Sequence, residues 1–139
     1  NLGNLNLKNR PRSGRWKFYA MRYSRPPLLT VLQEVVGWTL DRTADIPKSQ
    51  RFTFGQRLDG LTLEALLLAQ RAAATGDRAQ KAKHLGELSV VLEQLNLLWE
   101  LVQGRRWISQ QQLVFIAGRL GEAGRMTGGW LKQASGGGA

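Results

Sequence analysis

Four stretches of the chain repeat an apolar step of three and four residues, and that rhythm narrows the choice of fold sharply. Leu29, Leu32, Val36 and Leu40 form the first stripe, and Phe54, Leu58, Leu61, Ala65, Leu68 and Ala72 the second. Leu85, Leu88, Leu92, Leu95, Trp99 and Val102 form the third, widened by Val91 and Leu98. Leu113, Ala117, Leu120, Gly124, Thr127 and Leu131 form the fourth. A step alternating between three and four keeps a single face of a helix apolar. Nothing in these stretches alternates with the period of two that a strand requires.

The breaks between stripes are short. Pro26 and Pro27 open a helix expected over Pro27–Thr43, because proline is tolerated in a first turn. Pro47 turns Ile46 away from helical angles, and Ser49 is a candidate cap for a second helix over Ser49–Ala74. Gly76 suits a C-terminal cap and Asp77 the next N-cap, placing a third helix over Arg78–Gln103 that Gly104 ends. Ser109 caps a fourth helix over Ser109–Lys132. Long helices with short loops predict an all-α, antiparallel up-down-up-down four-helix bundle over residues 27–133. Leu66, Leu67, Val91, Leu98, Val114 and Phe115 add apolar surface beyond one core. That surplus predicts a homo-oligomer.

The formal charge of +10 over 139 residues is the footprint of a protein that meets a polyanion. Residues 1–27 hold Lys8, Arg10, Arg12, Arg15, Lys17, Arg22 and Arg25 with no acid, whereas the rest holds thirteen bases against ten acids. Residues 1–26 therefore read as a basic arm, with Trp16, Phe18, Tyr19 and Tyr23 interleaved as rings on which bases could stack. Met21 could equally be a start codon, making residues 1–20 an upstream or appended extension. Residues 134–139, rich in glycine, read as a flexible tail. The absence of cysteine suits a reducing compartment, and no apolar run approaches the roughly 20 residues of a membrane span. A cytoplasmic protein with no membrane contact is expected.

Catalytic patterns are missing. There is no phosphate loop, no nucleophile elbow and no zinc-protease motif. His84, the lone histidine, is either a general base or, on the plainer reading, a helix-boundary residue. Glu93 and Glu100 share a helix face without a second pair to complete a metal site. No enzyme, metal or cofactor is expected. What recurs instead is positive charge at helix ends and turns. Lys48, Arg51 and Arg57 surround the second helix start, and Arg78 and Lys81 open the third. Cations there oppose the helix dipole at a few tenths of a kcal/mol each. Arg105 and Arg106 fill the last turn, while Arg119, Arg125 and Lys132 lie along the fourth helix. A phosphate backbone rewards many such modest contacts, so these ten residues are the candidate nucleic-acid or partner contacts.

The stretch "GRMTGGWLKQ", Gly124–Gln133, places three glycines in a helix at roughly 0.5–1 kcal/mol each. Gly118, Gly121, Gly124 and Gly128 could let another helix approach closely, so that Gly124, Gly128 and Trp130 serve packing. Alternatively, Gly128–Gly129 marks a bend or helix end that lets Trp130 fold back as an apolar plug.

Two stretches carry a family resemblance. "IPKSQRFTFGQRL", Ile46–Leu58, resembles the helix 1–2 junction of the accessory variability determinant (Avd) family of diversity-generating retroelements. "GRMTGGWLK", Gly124–Lys132, resembles that family's closing helix, with "ISQQQLVFIAGRLGEAG" matching the approach to it. The first motif has cousins in proteins encoded in intervening sequences of 23S rRNA. The resemblance implies a small basic bundle that forms pentameric rings and has no catalytic centre. It implies partnership with the retroelement's reverse transcriptase and template-repeat RNA, with DNA as a further nucleic-acid partner. It implies a role in making mutagenised cDNA in a bacterial, archaeal or phage setting. The alternatives are a ribosome-associated RNA-binding bundle and an oligomeric protein-binding scaffold.

Overall fold

A computed structural model describes residues 25–136, and every regular element among them is helical. Helix α1 spans Pro27–Thr43, α2 Gln56–Ala74, α3 Arg78–Gly104 and α4 Gln110–Ala134. Each helix packs on the next, and α4 returns to close against α1. Short connections force each helix to run back along its predecessor, which yields the expected four-helix bundle. The basic residues and aromatic rings assigned to residues 1–24, and the tail from 137 on, lie outside the described residues.

The caps explain where the chain turns. Asp77 accepts the Ala79 N–H at 3.1 Å and so starts α3. Ser109 opens α4 with a reciprocal box: its hydroxyl accepts the Gln112 N–H at 3.1 Å, and the Gln112 side chain accepts the Ser109 N–H at 2.8 Å. Three expected boundaries are corrected. Gly76 does not take a left-handed cap; Thr75 ends α2 in extended conformation. Ser49 caps nothing, because the second helix begins with a 3-10 turn, Lys48–Gln50, and a five-residue π turn, Arg51–Gly55. Gly104 remains helical, and the chain leaves α3 through Arg106, whose φ is +62°.

That exit is a Schellman turn. The Arg106 N–H reaches the Gln103 carbonyl at 2.8 Å, and the Trp107 N–H reaches Val102 at 3.1 Å. Glycine normally occupies the left-handed position because a Cβ is costly there. Here an arginine does.

The third stripe is buried as expected: Leu85, Leu88, Leu92, Leu95, Trp99 and Val102 all lie in the core. Two other stripes are buried only in part as expected. In α1 Leu29 and Leu32 are buried as expected, together with Leu28, Val31, Val35 and Thr39, while Val36 is half-buried and Leu40 exposed. In α4 the buried face is Ile116, Leu120, Ala123 and Thr127, leaving Ala117 exposed. Thr39 occupies a core position that an apolar-only count passes over, as Thr62 does in α2, whereas Thr127 is buried as its place in the fourth stripe requires. Trp38 of α1 and Trp99 of α3 meet edge to face with centroids 5.0 Å apart, bridging the core diagonally.

Candidate nucleic-acid interface

Antiparallel order gathers the predicted cations at the two ends of the bundle. One end combines the α1–α2 junction with the α3–α4 turn. It carries Lys48, Arg51, Arg57, Arg105 and Arg106, all exposed. The other end combines the α2–α3 turn with the start of α1 and the close of α4. It carries Arg78, Lys81 and Lys132 on a cleft shared with Pro26 and Trp130, or beside it. At 1.5 Å per residue, the length of α3 separates the two sets by about 40 Å. The sequence pattern did not reveal this division into two clusters.

Two predicted contacts sit apart. Arg125 is exposed along the outer side of α4 between the two ends. Arg119 is engaged by carboxylates, at 2.9 Å from Glu34 of α1 and 3.0 Å from Glu122 of its own helix. It also lies over the Phe115 ring at 5.8 Å. Those are the ion pairs among the described residues, so the cations at both ends have no carboxylate within bonding distance.

The first end is aromatic as well as basic. Phe54 packs edge to face on Trp107 at 5.4 Å, which ties the π turn to the α3–α4 turn. The Arg105 guanidinium sits 5.8 Å over the Trp107 ring. In the π turn the Gln56 N–H reaches back five residues to the Arg51 carbonyl. Thr53 secures the turn by donating to the Gln50 carbonyl at 3.0 Å and lies 2.9 Å from the Gln50 side-chain oxygen. Phe54 turns inward, and Phe52, two residues earlier, is left 84% exposed. The helical stripe includes Phe54 and leaves out Phe52, but it does not single Phe52 out as a candidate site residue.

The glycines of "GRMTGGWLKQ" do not end the helix, and no helix packing within the chain uses them. Helix α4 runs unbroken through Gly128 and Gly129 to Ala134, so they mark neither a bend nor an end. A Cβ at Gly118, Gly124, Gly128 or Gly129 would meet nothing within 4 Å, so no helix of the same chain approaches them. Trp130 is half-buried against the core without any fold-back. The glycines instead smooth the outer face of α4, which they share with the exposed Val114.

His84 is half-buried with its Nδ1 in no hydrogen bond. Glu93 and Glu100 are exposed, and no group of three or more histidine or acidic side chains among the described residues could hold a metal ion. No described helix is long and apolar enough to cross a membrane.

The described residues form an all-helical four-helix bundle with exposed cations grouped at its two ends. A family model described as bAvd-like matches residues 28–134, which spans all four helices, and the chain belongs to that family. No curated protein and no solved structure matches it.

Proposed function

We propose that this chain is a non-enzymatic accessory subunit of a diversity-generating retroelement. It assembles as a homo-oligomeric ring, binds template-repeat RNA through its basic ends, and docks the reverse transcriptase to support mutagenic cDNA synthesis. The observation that carries this reading is family membership across the whole bundle. The paired clusters of unpaired cations support an RNA role. Lys48, Arg51, Arg57, Arg105 and Arg106 would act at one end, and Arg78, Lys81 and Lys132 at the other, with Arg125 between them. Arg119, held by two carboxylates, reaches phosphate only by surrendering them.

The outer helix faces support self-association. Val90, Leu97 and Leu101 line one side of α3 directly opposite its core face, and all three are exposed. A helix apolar on two sides is one that expects a second partner. The outer side of α4 is smooth, with Gly118, Gly121 and Gly128 beside Val114. An apolar ridge and a smooth face on different sides of one protomer fit a head-to-tail contact, the kind that closes into rings such as a pentamer.

Affinity purification from cells carrying the element tests the reading. Recovery of a reverse transcriptase with its template-repeat RNA supports it. Recovery of ribosomal particles favours the intervening-sequence alternative, and recovery of protein partners without RNA favours a scaffold. Affinity for the template RNA should fall by orders of magnitude between roughly 50 and 200 mM salt. A flat salt response contradicts phosphate binding.

A further inference from the structure

Phe52 is the most exposed large apolar side chain of the described residues, at 84%. Its neighbours are unusual for a protein contact. It lines two grooves at once. One groove also holds Phe54, Arg57 and Leu98; the other holds Leu40, Arg51 and Asp59. Each groove therefore pairs one face of the Phe52 region with one arginine. Asp59 is the carboxylate present, and one of its oxygens is occupied by the Thr43 hydroxyl at 2.7 Å.

The turn that carries the ring is held in place by its surroundings. Thr53 secures the π turn through Gln50, and Phe54 anchors it on Trp107. The Arg51 stem lies over Gly55, 3.8 Å from where a Cβ would sit. Residues two apart on a helical turn point to nearly opposite sides, so seating Phe54 inward presents Phe52 outward. Phe52 does not belong to the apolar outer face of α3, none of whose exposed residues Val90, Leu97 and Leu101 lines either groove. An exposed ring shared by two grooves, each lined by an arginine, matches one partner chemistry closely. A nucleobase stacks on the ring face, and the phosphates on either side meet the arginines.

We propose that Phe52 is a stacking platform for an unpaired nucleobase of bound RNA, with Arg51 and Arg57 holding the flanking phosphates. This rests on the RNA-binding reading above and sharpens it: this end of the bundle takes single-stranded segments, and the arginines alone would take any phosphate backbone.

The test uses the full chain with two probes, a short unstructured RNA containing 2-aminopurine and a fully paired RNA hairpin of the same length. Wild type is expected to quench the 2-aminopurine. Phe52→Ala is expected to weaken the unpaired RNA by about fivefold to a hundredfold, the range for losing one stacked base, and to leave the hairpin within about twofold. Phe52→Trp is expected to retain unpaired binding, whereas the double change Arg51→Gln, Arg57→Gln weakens both probes. An exposed side chain should be removable without unfolding, and a thermal melt of Phe52→Ala confirms that. Unchanged unpaired binding by Phe52→Ala overturns the platform while leaving the accessory function standing. A drop in oligomer mass by light scattering also overturns it and assigns Phe52 to a contact between copies. Wild type that binds neither probe overturns the RNA-binding reading itself.

Discussion

Arg106→Gly separates folding from binding, because the two are expected to move in opposite directions. Arg106 holds the left-handed position of the Schellman turn at φ +62°. A residue with a Cβ costs about 1–2 kcal/mol in that conformation. Glycine avoids the cost but frees the unfolded chain, which returns roughly 0.5–1 kcal/mol. The net expectation is a gain of about 1 kcal/mol, or a rise of about 4 °C in Tm for a domain of this size. The same substitution removes one of five cations at that end. If it contacts phosphate, the slope of log K against log salt should shrink by about 0.7 for single-stranded RNA. Thermal unfolding measures the first quantity and a salt series of binding isotherms the second. Arg105→Gln is the control: Arg105 has φ −80°, within helical range, so it should lose slope without gaining stability. A lower Tm for Arg106→Gly refutes the strain argument. A raised Tm with an unchanged slope refutes the claim that the strained arginine is there for phosphate.

Other outcomes follow from the packing. Trp99→Ala, which empties a fully buried site against Trp38, is expected to cost about 3–5 kcal/mol in chemical denaturation. Thr62→Val replaces a buried hydroxyl that finds no hydrogen-bond partner, so it should raise stability by about 1 kcal/mol. Gly124→Ala together with Gly128→Ala should stabilise α4 by roughly 0.5–1 kcal/mol per site, since a Cβ meets nothing there. Gly128→Leu should leave the bundle folded but reduce the assembly mass if the outer face of α4 is a ring contact; an unchanged mass removes that face from the interface. Neutralising both ends together should give salt-slope losses that add, because about 40 Å is several times the ~8 Å screening length at physiological salt.

The bundle was legible because heptad-like spacing is set by what each helix buries, and Leu85 to Val102 bury as their spacing requires. The exposure of Leu40 in α1 and Ala117 in α4 was not legible. A threonine whose hydroxyl turns inward counts as polar in the sequence and as core in the fold. Thr39 is such a residue in α1; Thr127, which the stripe did include, satisfies its hydroxyl by donating to the Ala123 carbonyl at 2.7 Å. The cations were found one by one, but their sorting into two ends depends on helix direction, which loops decide and spacing does not. The π turn had no signal of its own, and so neither did the exposure of Phe52. The glycine ladder was visible, yet its reason could not be read from one chain, since the open side of α4 faces away from that chain's own core.

The central claim is that this chain enables cDNA synthesis by a partner enzyme while performing no chemistry itself. Its most direct test is template-primed cDNA synthesis by the retroelement's reverse transcriptase on its template-repeat RNA, assayed with and without this protein. The account predicts that long template-repeat cDNA forms only when the protein is present, and that neutralising Lys48, Arg51, Arg105 and Arg106 together abolishes the stimulation. Equal cDNA yield without the protein would contradict it.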